Sequence, residues 1–130
     1  MTAAEVVVDA SALVDLLVGT PRCAAVRARL SGTVLHAPAH LDAEVLSAVA
    51  RLARADVLRV ADAEAALESL RRAPVQRHEL VDLIDPAWSS RGRIRVVDLL
   101  YVALAEKLGF PLLTTDARLA RACPLAQEIA

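Results

Sequence analysis

The chain predicts an α/β domain with a parallel sheet covered by helices on both faces. Three observations carry this. Val6-Val7-Val8 is a short β-branched run ending in an acid, Asp9. Leu112-Leu113-Thr114-Thr115-Asp116 repeats that arrangement near the other end. Between them, apolar residues recur at helical spacing and alternate with further short extended runs, the pattern of strand–helix–strand units. A length of 130 residues suits one domain with a substantial core. No internal repeat, linker or low-complexity stretch divides residues 1–130.

Residues 5–9 are too short and too β-branched for a buried helix and are expected as a strand. Ser11 offers an N-cap to a helix over 12–18, stopped by Gly19. Pro21 suits the first turn of a second helix, which runs to about Leu30 with arginines on its open face and ends at Gly32. Residues 33–36 form a second short strand closed by Pro38. Leu41, Val45, Ala48 and Leu52 then mark an amphipathic helix over about 40–55. Ala63, Ala66, Leu67 and Leu70 mark another over 62–72, broken by Pro74. Residues 75–79 read as a marginal strand or extended link, and 80–88 as helix up to a break around Asp85-Pro86. A polar loop over 89–93 precedes a strong helix over 97–108, ended by Gly109 and Pro111. Residues 112–114 make a strand, 116–121 a short helix and 126–129 a last edge strand.

Composition excludes several classes. Hydrophobic residues make up 56% and mean hydropathy is +0.44, yet the apolar runs fall short of the roughly 18–20 residues that span a bilayer. Asp9 and Asp15 interrupt the N-terminal apolar run and no basic stretch precedes it, so a signal peptide is not expected and the cytoplasm is the expected location. Cys23 and Cys123 fit neither a disulfide framework nor a zinc spacing, and are expected as small buried thiols. His36 and His40 straddle Pro38 and are not expected as a helical metal pair. With His78 they are assigned core, cap or surface roles. Net charge is −1, which gives no global argument for nucleic-acid binding. Lys107 is the only lysine, and the predominance of arginine fits either phosphate handling or a GC-rich genome.

The functional signal lies in four acids. Asp9 and Asp116 end strands whose C-terminal ends share one rim of a parallel sheet, where ligands bind. Glu44 and Asp98 lie on helices that reach the same rim. Each has a purely structural alternative. Asp9, Asp98 and Asp116 are placed to cap helices, although Ser11 and Thr115 could cap instead of Asp9 and Asp116. Glu44 borders the apolar stripe of its helix, whereas Asp42, about 200° away around the axis, faces outward and cannot serve the same site. Four gathered carboxylates would repel one another, by roughly 4 kcal/mol per pair at about 4 Å and an effective dielectric of about 20. Helix N-termini offset part of this. A cation offsets more, and oxygen-only donors suit Mg²⁺ or Mn²⁺ rather than zinc.

Val-Val-Val-Asp-Ala-Ser, His-Leu-Asp-Ala-Glu-Val, Asp-Leu-Leu-Tyr-Val-Ala-Leu-Ala-Glu-Lys-Leu-Gly and Leu-Leu-Thr-Thr-Asp-Ala-Arg-Leu-Ala, in that order, resemble a PIN domain. More closely they are similar to the VapC toxins of bacterial toxin–antitoxin pairs. The resemblance runs from Val6 to about Ala120, and its last motif is the most specific. One departure is Leu99, where family members commonly carry a small residue after the acid. The resemblance implies a three-layer α/β/α fold on a five-stranded parallel sheet and a metal-dependent endoribonuclease. It places catalytic and metal-binding roles on Asp9, Glu44, Asp98 and Asp116, with Ser11 and Thr114 as supporting hydroxyls. It also implies an RNA substrate, a VapB-like antitoxin and a homodimer.

The residues are compatible with water activated by one or two bound ions attacking an RNA phosphorus. Ser11 is expected to position a ligand rather than attack, since no histidine base is evident nearby in sequence. Arg91, Arg93, Arg95, Arg118 and Arg121 are the candidates for phosphate contacts, against ion pairs or a solvated face. Two rivals remain. A receiver-like phosphotransfer protein needs a lysine on a late strand, but Lys107 falls near a helix end. The aspartyl-phosphatase pattern needs a second Asp where Ser11 stands. A non-catalytic PIN-like binding module is the other, and all four acidic positions being filled weighs against it.

Overall fold

The computed structural model describes residues 2–130. Five parallel strands, β1 (Glu5–Val8), β2 (Val34–Pro38), β3 (Val75–His78), β4 (Leu112–Thr114) and β5 (Ala126–Glu128), lie in the order β3-β2-β1-β4-β5. The sheet is centred on the three-valine run, and the two halves of the chain wind outward from it. The C-terminal end of β1 therefore lies beside that of β4, with Val8 in register with Leu113.

Alternation along β1 divides the core. Val7 faces one side, packed with Leu41, Val45 and Val49 of α3 (Leu41–Arg54) and the buried run of α6 (Val96–Leu108). Ala63 and Leu70 of α4 (Val60–Arg72) and Leu119 of α7 (Ala117–Ala122) complete that core. Val6 and Val8 face the other side, against Val26 and Leu30 of α2 (Cys23–Leu30), Ala12 of α1 (Ala10–Val18) and Ile129. A strand buried on both faces has no need of polar alternation, hence its unbroken valines.

Several boundaries differ from expectation, each for a local reason. The cap of α1 is Asp9, not Ser11: Asp9 is extended (φ −94°, ψ 172°) and its side chain accepts the Ala12 N–H. α2 begins at Cys23 rather than Pro21. Pro38 lies inside β2 instead of closing it. Val34 N–H bonds toward β1 and Ala39 N–H toward β3, so position 38 points toward β1, whose pairing has ended at His36. The missing N–H therefore removes no ladder bond. No break falls at Asp85-Pro86. A 3₁₀ turn (Val81–Leu83) runs into α5 (Ile84–Ser89), and Pro86 occupies its first turn, where N–H groups have no intrahelical partner. Gly19 and Gly109 stop α1 and α6 as expected, at φ 81° and 73°, where other residues would be strained. Both cysteines are free, and only Cys123 is fully buried.

Candidate active site

Asp9 leaves β1 at the sheet's central switch and is only 4% exposed. Oδ1 accepts the Ala12 N–H at 3.0 Å and the Ser11 hydroxyl at 2.8 Å. Oδ2 accepts the Thr114 hydroxyl at 2.6 Å and is 2.9 Å from Ser11 Oγ. Thr114 reaches across from β4, and its Oγ1 also accepts the Asp116 N–H at 2.9 Å. Thr115 N–H donates to Ser11 Oγ at 3.2 Å. Ser11 and Thr114 thus tie the β1–α1 turn to the β4–α7 turn around one carboxylate. Burial pushes the Asp9 pKa up to about 6, the hydrogen bonds restrain the rise, and repulsion from Asp98 adds to it.

Asp116 caps α7, with Oδ1 accepting the N–H groups of Arg118 at 2.9 Å and Leu119 at 3.4 Å. Oδ2 has no hydrogen-bond partner among the described residues. Glu44 stands in the first turn of α3. Its Oε1 accepts the hydroxyl of Tyr101, a 1%-exposed residue of α6, at 2.7 Å. Burial, and then Glu44 itself, drive the Tyr101 pKa far above its ordinary value, so the phenol is a permanent donor. Asp98 is not the cap of α6: the helix starts two residues earlier behind Arg95, leaving Asp98 in the first turn.

Arg95 connects these acids. Its Nε and Nη2 each lie 3.1 Å from an Asp98 oxygen, and Nη2 is 3.7 Å from Glu44 Oε2. Its pKa is raised by the Asp98 hydrogen bond and charge, then by Glu44 and Asp116. Arg95 is therefore felt by three of the four carboxylates, and the fourth, Asp9, feels Asp98. Arg95 also separates two cavities. One, of about 460 Å³, holds Ser11, His40 and Glu44; the other, of about 80 Å³, holds Asp98, Asp116, Arg93 and Arg118.

The four acids share a neighbourhood but not a single ligating point. As the side chains stand, no group of three or more His, Cys, Asp or Glu among the described residues is placed to hold one ion. The donor set nevertheless fits a hard cation. All four donors are carboxylates, Asp116 Oδ2 is unengaged, and Asp98 and Glu44 are already turned to a positive charge, the Arg95 guanidinium.

Of the candidate arginines, Arg93, Arg95 and Arg118 lie at the rim. Arg91 does not join them: it stacks 3.9 Å from the Trp88 ring centroid and donates to the Trp88 carbonyl. Arg121 is exposed in the last turn of α7. Sequence reasoning missed His40, whose Nε2 donates to Val97 O at 2.8 Å and lies 3.4 Å from Glu44 Oε1. A carbonyl only accepts, so Nε2 carries the proton; Nδ1 is buried without a partner. Its four-residue spacing from Glu44 was the available signal. Arg22, which donates to Thr115 O at 2.8 Å beside the same rim, left no comparable trace.

Carboxylates brought to the central switch of a five-stranded parallel sheet define the PIN class, and residues 6–124 match the PIN domain family. The chain is 61% identical over 126 residues to Ribonuclease VapC3 of Mycobacterium tuberculosis, covering 96% of this chain and 92% of that one. Among solved structures, a Pyrobaculum aerophilum protein superposes with a TM-score of 0.69 at 22% identity, covering 97% of this chain and 84% of the other. Mycobacterium tuberculosis VapC20, described as a sarcin-ricin loop cleaving toxin, superposes at 0.66 and 22%, covering 90% and 94%. The chain belongs to the PIN-domain family and, within it, to the VapC group.

Proposed function

We propose that this chain is the toxin of a toxin–antitoxin pair, an endoribonuclease that hydrolyses RNA phosphodiester bonds with Mg²⁺ or Mn²⁺. One observation carries the chemistry: a positive charge, Arg95, already sits among Glu44, Asp98 and Asp116, beside a buried Asp9 with a raised pKa. The identity to a named ribonuclease supports the substrate class.

Asp9, Glu44, Asp98 and Asp116 would hold the ion. When bound, it lowers the pKa of water and neutralises charge on the phosphate. The chain's own groups set the geometry. Ser11 and Thr114 fix Asp9 by donating hydroxyl protons to it, which commits Ser11 to orientation rather than attack. Tyr101 holds Glu44 by donating its hydroxyl proton, with His40 Nε2 3.4 Å from the same oxygen. Arg93 and Arg118 are poised to meet RNA phosphates at the rim. A VapB-like antitoxin and a second copy of the chain are the proposed protein partners. Exposed Val81, with Ile84 and Trp88 of α5, offers apolar surface for such contacts. No helix of the described chain is long and apolar enough to cross a membrane, and we place the protein in the cytoplasm.

The test is cleavage of RNA by the purified chain, freed of antitoxin, with Mg²⁺, Mn²⁺ or EDTA. Cutting should require the ion and disappear in Asp98→Asn and Asp116→Asn. RNA binding without cutting under any divalent ion would establish a binding module instead. An acid-labile phosphoprotein would establish phosphotransfer.

A further inference from the structure

The larger rim cavity is built unlike the carboxylate pocket it adjoins. Glu44, Ser47, Ala48 and Arg51 line it from α3, at relative positions 0, 3, 4 and 7, which stack on one helix face. Ala10, Ser11 and Val14 of α1 form the facing wall, and Val97 of α6 closes an edge. Its volume of about 460 Å³ falls in the range of small-ligand sites, roughly 300–1,000 Å³. Small apolar side chains leave flat walls, Ser47 supplies a hydroxyl, and two guanidinium groups, Arg95 and Arg51, line the cavity. Arg95 is at the carboxylate end. Arg51 lies seven residues along α3 from Glu44, about 10 Å by helical rise, and no described carboxylate pairs with it.

We propose that this cavity is a subsite for single-stranded RNA: the nucleotide neighbouring the cleaved bond lies between α1 and α3, and Arg51 anchors its outer phosphate. The inference rests on the ribonuclease reading. A strand whose reacting phosphate sits at the carboxylates must lead away along the surface. This groove opens at Glu44 and Ser11 and ends on an unpaired cation. The walls take the face of a base, and Ser47 takes its edge or a 2′-hydroxyl, the polar group that distinguishes RNA. A peptide backbone carries no anion to meet Arg51, whereas an RNA strand carries one at every phosphate.

The experiment measures binding of short, fluorescein-labelled single-stranded RNA of random sequence to the full chain in EDTA, over a salt series. The proteins are wild type, Arg51→Ala, Arg51→Lys and Ala43→Phe, the last filling the groove from an exposed position. Arg51→Ala should weaken binding roughly five- to twenty-fold and reduce the slope of log affinity against log salt by about 0.7, one phosphate contact on a single strand. Arg51→Lys should keep the slope. Ala43→Phe should weaken binding with the slope unchanged. Mn²⁺ affinity and melting temperature should match wild type throughout. Unchanged RNA affinity and slope in Arg51→Ala, in a wild type that binds and cuts RNA, overturns the subsite alone. A wild type that binds Mn²⁺ but neither binds nor cuts RNA overturns the ribonuclease reading and the subsite with it. Loss of antitoxin binding in these variants with RNA binding intact assigns the groove to a protein partner and overturns the proposal.

Discussion

Replacing Asp9 with asparagine should make the protein more stable while destroying its activity. Its pKa is pushed by burial from 3.8 to about 6. The folded state therefore holds this proton more tightly than the unfolded chain does. The associated stability is fully present below the unfolded value and is lost as pH rises through the folded one. Across that window, about two pH units wide, the loss is about 3 kcal/mol at about 1.36 kcal/mol per pH unit. Asparagine keeps an oxygen for the Ala12 N–H, and the Ser11 and Thr114 hydroxyls can turn to accept from its amide. Thr114 Oγ1 already accepts the Asp116 N–H, so the rearrangement costs about 1 kcal/mol. The net gain near neutral pH is about 2 kcal/mol, or roughly 8 °C in melting temperature. Urea unfolding of both proteins in EDTA, stepped from about pH 4 to pH 7.5, measures it. The difference in stability should grow as pH rises and then level off. An Asp9→Asn protein less stable than wild type near neutrality, or a difference flat with pH, would refute the reasoning. Added Mn²⁺ should restore stability to wild type and do little for the variant.

Two further substitutions separate the roles around the rim, and a third serves as a control elsewhere. Arg95→Ala removes the cation that occupies Asp98 and Glu44, so Mn²⁺ binding followed by electron paramagnetic resonance should tighten by up to about five-fold, equivalent to about 1 kcal/mol for an exposed pair. Weaker Mn²⁺ binding would mean that Arg95 supports the site instead. Tyr101→Phe removes the donor to Glu44 Oε1 and should cost about 1–2 kcal/mol by urea unfolding, with roughly ten-fold slower RNA cleavage. Arg77→Ala acts away from the rim: Arg77 pairs with Asp42 and also donates to the carbonyls of Leu70, Ala73 and Val75. Its loss should cost about 2–3 kcal/mol and leave cleavage per folded molecule unchanged.

The fold was legible because the sheet is buried on both faces, so its strands read as apolar runs between strongly periodic helices. Even β3, marginal in sequence at Gln76 and Arg77, pairs in register with β2 as an edge strand, half exposed. What escaped were features decided by contacts distant in the chain. His36, assigned no role beyond core, cap or surface, lies 2.9 Å from His78 and 3.0 Å from Glu5, a chain of polar groups across three strands that no local pattern encodes. Arg22 and Arg91 likewise could be placed only once the folded surface showed which partners lay within reach.

The site was legible by its residue types and misjudged in one respect. In the sequence, capping and function stand as alternatives for Asp9 and Asp116, with Ser11 and Thr115 as substitutes that would free the acids. Both acids cap, and capping is how they are positioned. Oδ1 takes one N–H of the following helix in Asp9 and two in Asp116, which fixes the carboxylate plane at the strand's end. The second oxygen is held by Thr114 in Asp9 and unengaged in Asp116, which lines the smaller rim cavity. A serine cap would satisfy the same helix and leave no charge at the rim. An aspartate free of the helix would have rotamers to lose on binding an ion. The strand–Asp–helix turn used at both ends of this chain therefore delivers a preoriented carboxylate to adjacent strands, so the cap geometry is itself part of the site.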